Sequence, residues 1–348
     1  MATFNPNSIG IPNGCYFALP PREGGDALLL LSVPWDATTS YRAGAAQGPQ
    51  AILDASSQVD LFDLDNGEAW AQGIGTLPEE GTVGRLSQLT RAKVEGVIAQ
   101  LKVGIDERDP SLSQWLEEVN TASAALNAWV HRQTKQQLEQ GKRVGLVGGD
   151  HSTPFGFIQA LGEHHEAFGI LHIDAHADLR QAYEGFEFSH ASIMYNVLKH
   201  VPSVSKLVQV GIRDLCKDEH DMAASDPRIQ QFDDYYLHDC QFNNMSWSSL
   251  CEKILAHLPQ KVYISFDIDG LSPGCCPNTG TPVPGGLTFH QASYLIKQLV
   301  KSGRTIVGFD LCEVAPSDAD GSEWDAIVGA RMLYKLCGFC ICSPLAQQ

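Results

Sequence analysis

The sequence predicts an α/β fold: a single-domain, three-layer α/β/α sandwich around a mostly parallel sheet. Three observations carry this. Strand-like apolar runs alternate with helix-length segments, three of the runs end directly in short acidic motifs, and a chain of 348 residues with 43% hydrophobic content can bury a large core. The runs are residues 27–33, 144–147, 169–173, 206–210, 262–266 and 305–309, near-continuous apolar stretches of the kind that strands covered on both faces require.

Taken in order, residues 1–26 read as an N-terminal extension, polar at first, and residues 27–348 as one folded unit. The first strand stops at Pro34. Between 75 and 142 the pattern turns helical, with one stretch near 87–101 and another near 112–139, separated by Asp109-Pro110. The second helix leads into the strand at 144. Gly/Pro-rich loops fall at 20–25 and 272–286, and the latter directly follows an acidic motif, where a long loop shapes a pocket more readily than it links domains. At the C-terminus, Cys337, Cys340 and Cys342 read as part of an apolar terminal strand. Their spacing suits a soft metal, but their setting suits the core.

The charge balance, 24 basic against 41 acidic residues and −17 overall, has no Lys/Arg block, which makes nucleic acid and anionic membrane poor partners. It favours a small cationic substrate. Ten scattered Cys without framework spacing suit a reducing cytoplasm. No apolar run is long enough to span a bilayer, and the first residues lack the basic start and apolar core of a signal peptide.

The acidic motifs are Gly148-Gly149-Asp150-His151-Ser152, Asp174-Ala175-His176-Ala177-Asp178 and Ser265-Phe266-Asp267-Ile268-Asp269-Gly270. Each follows a predicted strand. In open α/β sheets ligands bind at the carboxyl ends of strands, so the three converge on one crevice. Residues two apart on an extended segment project to the same side, which lets Asp174, His176 and Asp178 share a cavity, as Asp267 and Asp269 do. Four clustered carboxylates repel one another unless cations lie between them, so a two-metal centre is the economical reading of His151, Asp174, His176, Asp178, Asp267 and Asp269. Singly, each has a plain alternative: a helix-capping Asp, or a hydrogen-bonded core His.

With these motifs in place the chain resembles the ureohydrolase family of arginases, agmatinases and related guanidino hydrolases. The resemblance extends to 34–44 (Pro34-Trp35-Asp36 through Gly44), to Gly48-Pro49-Gln50-Ala51-Ile52, to Thr279-Gly280-Thr281-Pro282 and to Gly308-Phe309-Asp310-Leu311-Cys312-Glu313. It implies an arginase-like catalytic domain in which His151 ligates one divalent ion and His176 the other. Asp174 and Asp267 bridge them, and Asp178 and Asp269 complete the shells. A hydroxide held between the ions then attacks the guanidinium carbon, with Asp178 able to orient it. The resemblance further implies that Glu313 pairs with the guanidinium and that His190 manages protons for the leaving amine. Read without it, Glu313 is a strand-end charge and His190 a loop histidine.

Specific departures narrow the substrate. Ser272 stands where the family commonly has a further Asp, His190 is followed by Ala191 rather than by Gly, and Gln181-Ala182-Tyr183-Glu184-Gly185-Phe186 lacks a polar set for an α-amino acid. Arginine is therefore disfavoured. The loop Gly274-Cys275-Cys276-Pro277-Asn278-Thr279 resembles the small-guanidine branch, the nickel-dependent guanidine hydrolases and metformin hydrolases. That implies Ni2+ ahead of Mn2+, and guanidine going to urea and ammonia or metformin to guanylurea and dimethylamine. Tyr183, Phe186, Phe188 and Trp324 are candidate pocket walls, or core; Cys275 and Cys276 read as neutral pocket or core residues. Agmatinase or guanidinobutyrase-type activity, a non-catalytic partner subunit and a metal-storage protein are the alternatives. By resemblance, assembly is a homo-oligomer, trimer or hexamer, or a hetero-oligomer with a paralogous subunit.

Overall fold

Eight parallel strands form one sheet in the order β2-β1-β3-β8-β7-β4-β5-β6. The computed structural model describes residues 4–22, 25–78, 81–317 and 321–344. The strands are β1 Leu28–Val33, β2 Ile74–Thr76, β3 Arg143–Gly148, β4 Phe168–Ile173, β5 Val204–Val210, β6 Ile229–Phe232, β7 Lys261–Asp267 and β8 Thr305–Cys312. The six predicted strands are all present. The two that sequence patterning did not pick out, β2 and β6, are the short edge strands, each half-covered and so without a continuous apolar signature.

The helices are α1 Gly48–Ser56, α2 Thr82–Lys102, α3 Ser113–Glu139, α4 Phe155–His164, α5 Ile193–His200, α6 Lys217–Ser225, α7 Asp234–Phe242, α8 Trp247–Leu255, α9 Phe289–Lys301 and α10 Trp324–Cys342. Successive strand residues feed opposite faces. On β4, Phe168 and Ile170 pack with Leu126 and Val130 of α3, Phe157 and Leu161 of α4 and Val197 of α5. Leu171 and Ile173 belong to the opposite layer, with Ile254 of α8, Leu295 of α9 and Leu333 of α10. Nearly every strand side chain in the centre is therefore buried, which is why those strands read as near-continuous apolar runs.

The C-terminal cysteines correct one expectation. Cys337, Cys340 and Cys342 lie on helix α10, not on a strand. A helix covered on most sides is apolar all round, and periodicity cannot tell it from a buried strand; length decides, and 19 residues is helical length. Cys337 and Cys340 are buried, Cys342 is exposed, and none joins a metal-capable group among the described residues. Arg143 at the start of β3 donates to the carbonyls of Cys340 and Ser343, a cation satisfying the last carbonyls of α10. Helix α2 begins at Thr82, five residues before its predicted start.

Candidate metal centre

The motifs meet because β3, β8, β7 and β4 are adjacent at the middle of the sheet and all point the same way. Their carboxyl ends carry His151, Glu313, Asp267 with Asp269, and Asp174 with His176 and Asp178. Backbone contacts lock the ends together. Glu313 N–H donates to Gly149 O at 2.7 Å, and Asp150 N–H to Trp35 O at 2.7 Å. A Cβ at Gly149 would stand 1.9 Å from Trp35 O, so this motif position accepts only glycine.

The imidazoles face the carboxylates through Nδ1. His151 Nδ1 lies 3.0 Å from Asp174 Oδ2, 3.3 Å from Asp178 Oδ2 and 3.4 Å from Asp267 Oδ2. His176 Nδ1 lies 3.1 Å from Asp269 Oδ2 and 3.5 Å from Asp174 Oδ1. Asp174 thus turns one oxygen to each histidine. Asp267 stands on the His151 side, its Oδ1 accepting Asp269 N–H at 2.8 Å, while Asp269 Oδ1 accepts Ala175 N–H at 3.0 Å. All six predicted ligands are brought together, and all but His176 are buried.

What surrounds them fits divalent cations. Among the described residues, no Lys or Arg forms an ion pair with any of the four aspartates; only histidines do. Burial, and then the charges of Asp269 and Asp174, push Asp267 well above the usual carboxylate range. Burial and the charge of Asp174 push Asp178 up to about 6. Burial opposes charge on His151 and His176, but the facing carboxylates outweigh it and raise both well above the ordinary histidine value. Asp174 is held well below its own range, since its three histidines outweigh burial. The cluster without ions must hold protons where cations would serve, which is the electrostatic mark of a site shaped for positive charge.

Ser265 sets the tautomer of His151. Its hydroxyl donates to Asp310 Oδ2 at 2.8 Å, so it accepts from His151 Nε2–H at 2.9 Å and leaves Nδ1 for the carboxylate side. Sequence reasoning singled out neither Ser265 nor Asp310 for the site, and it also missed His172, whose Nε2 is 2.8 Å from Asp174 Oδ2. The signal for His172 was available: one more step of the same alternation, N-terminal to Asp174. The other two lie at buried polar positions within apolar strands.

Asp178 and Glu313 adopt left-handed backbone, φ +53° and +63°, a costly conformation for non-glycine residues that the surroundings enforce. The carbonyl of Asp178 accepts from Met194 and Tyr195 N–H in the first turn of α5. Glu313 is 3% exposed; its Oε1 accepts His151 N–H at 3.0 Å and lies 3.7 Å from His190 Nδ1. Burial, then the charge of Asp150, hold Glu313 well above the usual carboxylate range. His190 Nε2 is 3.2 Å from Ser40 Oγ, and burial, with His176 beside it, pushes the imidazole down to about 3.

A cavity of about 140 Å³ opens on this site, lined by Ser40, His176, Asp178, Arg180, Tyr183 and His190, with Asp214, Glu219 and Thr281 also on its wall. Of the four candidate walls only Tyr183 reaches it. Phe186 is fully buried in a cluster with Val94, Val97 and Val119 beneath α2 and α3, Phe188 packs on Phe155, and half-exposed Trp324 donates its indole N–H to Gly274 O. The tight turn through Glu184 and Gly185, both at positive φ, directs Phe186 and Phe188 to helices rather than to the cavity. Cys276 is buried, donates to Ile268 O at 3.1 Å, and burial raises its thiol far above the ordinary range, as a neutral core residue requires.

The family model described as the Arginase family matches residues 26–338. The chain is 31% identical over 311 residues to an N(1)-aminopropylagmatine ureohydrolase of Thermus thermophilus, covering 89% of each. It is 32% identical over 314 residues to a guanidinobutyrase of Pseudomonas aeruginosa, covering 88% of this chain and 84% of that one. Among solved structures, proclavaminate amidino hydrolase from Streptomyces clavuligerus superposes with a TM-score of 0.71 at 20% identity, covering 97% of this chain and 100% of that one, a likeness of fold.

Proposed function

The chain belongs to the arginase family, and from that premise we propose that it hydrolyses a C–N bond of a small guanidino or biguanide compound. In the simplest case guanidine and water give urea and ammonia; with metformin the products are guanylurea and dimethylamine. The observation that carries the reaction class is the convergence of six N/O donors, two of which, His176 and Asp178, open on the cavity, with buried Glu313 beside them accepting His151 N–H and lying 3.7 Å from His190 on the cavity wall. His151, Asp174, His176, Asp178, Asp267 and Asp269 would hold two divalent ions, which when bound supply Lewis-acid polarisation and acidify a water near neutral pH.

The chain's own side chains do the rest. The carboxylate of Glu313 meets the substrate cation by charge-assisted hydrogen bonds. Its buried surroundings make that pairing strong, because an unpartnered carboxylate there is costly. His190, kept neutral by burial and linked to Ser40, takes and returns a proton as the departing nitrogen becomes an amine. Tyr183 and Arg180, stacked on each other, form one wall of the cavity.

Two features support a small substrate without a second positive charge. The cavity is about 140 Å³, below the roughly 300–1,000 Å³ of pockets for drug-sized ligands. Its wall carries the guanidinium of Arg180, stacked 4.6 Å from the Tyr183 ring centroid and 3.6 Å from Glu219, where it competes with a distal ammonium for the wall's carboxylates. Asp214 favours the second reading, an agmatinase, because its exposed carboxylate on the same wall can receive an amine tail. Either His/Asp set accepts several divalent metals; we rank Ni2+ ahead of Mn2+. We also propose that copies of the chain assemble into trimers or hexamers. The deciding experiment loads the protein separately with Ni2+ and Mn2+ and measures urea, amine and guanylurea released from guanidine, metformin, agmatine, guanidinobutyrate and arginine. Turnover of guanidine or metformin is expected; preference for agmatine transfers the assignment to the second reading, and no turnover at all rejects both.

A further inference from the structure

Gln231 on β6, Gln209 on β5, His172 on β4, Ser265 on β7 and Asp310 on β8 share one register across five adjacent strands. They form a polar row through the sheet, flanked along β4, β5 and β7 by apolar residues such as Leu171, Ile173, Val208, Val210, Ile264 and Phe266. Residues in register on parallel strands point to the same face, so the row lies in one layer beneath the metal centre. The Ser265–Asp310 end orients His151. The other end touches no predicted ligand except through His172.

From Gln209 to Asp174 every polar hydrogen has an assignable place. The amide nitrogen of Gln209 lies 2.7 Å from Ala177 O, which can only accept, and this fixes the amide's orientation. The same nitrogen lies 2.9 Å from His172 Nδ1, and its remaining hydrogen goes there. Gln209 Oε1 accepts from the Gln231 amide at 2.8 Å, which the orientation demands. With Nδ1 occupied as an acceptor, the imidazole hydrogen of His172 is on Nε2, aimed at Asp174 Oδ2 at 2.8 Å. His172 and Gln209 are both fully buried, so water offers no substitute partner.

Proximity alone would admit His172 as a ligand, since it lies with His151, Asp174 and Asp178 in one metal-capable group. A nitrogen that carries a hydrogen cannot bind an ion. We propose that His172 is a positioning residue and not a ligand: it holds Asp174 by an Nε2–H bond, and Gln209, backed by Gln231, sets the tautomer that makes this bond. A row of side chains reaching the sheet edge thereby fixes the carboxylate that faces both histidine ligands. The inference rests on the reading of Asp174 as a ligand.

Two measurements test it. Nitrogen-15 NMR of the zinc-loaded protein, zinc serving as a diamagnetic probe, is expected to show His172 protonated at Nε2 and pyridine-like at Nδ1, assigned by loss of its signals in His172→Gln. An unprotonated, metal-shifted Nε2 would make His172 a ligand and overturn the proposal. Separately, Mn2+ titration against a competing chelator compares variants whose apo fold is checked by circular dichroism. His172→Leu and Gln209→Leu are expected to weaken Mn2+ binding about 10–100-fold. His172→Gln, whose amide nitrogen can stand where Nε2 stood, is expected to stay within a few-fold of the parent. Parent-like affinity in His172→Leu, or His172→Gln as weak as His172→Leu, overturns the proposal. Should the leucine variants fail to fold, the NMR result on the unaltered chain decides. Retention of both ions in Asp174→Ala would instead overturn the underlying ligand reading, whatever the state of His172.

Discussion

His151 Nδ1 stands 3.0 Å from Asp174 Oδ2, with both side chains shut off from solvent. At that separation two lone pairs repel, so a proton or a cation must lie between the groups. Protons and metal ions therefore compete for the same positions.

The competition makes ion-dependent stability a function of pH. Asp178, raised to about 6, and Asp150, raised to about 7 by burial, contribute stability to the ion-free fold that is complete below about pH 4. It is lost as pH rises through those values. His151 and His176, raised above the ordinary histidine value, act in the same direction at higher pH. Added Mn2+ or Ni2+ should accordingly raise Tm more at pH 8 than at pH 5.5; at a hundred times Kd one site adds about 2.7 kcal/mol. A shift independent of pH across that range would contradict proton–metal competition.

Asp174→Ala should lose both ions, because its two oxygens face different histidines. Elemental analysis after gel filtration is expected to show close to none bound. Two tightly held ions would refute its place in both shells.

Glu313→Gln keeps an acceptor for His151 N–H but removes the charge. Loss of one charge-assisted hydrogen bond, about 1.5–3 kcal/mol, should lower kcat/KM by about 10–10²-fold with both ions retained. An unchanged kcat/KM would return Glu313 to the status of a buried structural carboxylate.

His190, depressed to about 3, is neutral throughout the working range. It should add no ionisation to the kinetic pH profile between 6 and 7, and His190→Asn should lower kcat by about 10²–10⁴-fold while leaving metal content intact. Its depressed value also means that its stabilising contribution, full above the ordinary histidine pKa, is lost as pH falls towards 3. A limb near pH 6.5 that vanishes in His190→Asn would show that the histidine titrates in the working range.

Arg180→Gln removes the cation from the cavity wall while Glu219 keeps its two backbone donors, Leu179 and Cys216 N–H. The ratio of kcat/KM for agmatine to that for guanidine is expected to rise about tenfold, equivalent to about 1.4 kcal/mol of relieved competition. If the ratio moves only in Asp214→Asn, tail selection belongs to that carboxylate instead.

Sequence by itself determined the parallel α/β class and six of the eight strands, and it singled out the six residues that the structure brings together in the candidate centre. It could do so because those signals are local: continuous apolar strands, and acidic residues at every second position directly after them. Tertiary structure alone decided the rest. The edge strands β2 and β6 carry no apolar run, and helix α10 is buried on most sides, so only their partners define them. Phe186 and Phe188 went to the α2–α3 and Phe155 layers rather than to the cavity because the side of the chain they face depends on helices distant in sequence. The same holds for Gln231, Gln209, His172, Ser265 and Asp310. Each is one polar residue in a separate strand, and only the lateral register of five strands lines them up beneath Asp174 and His151.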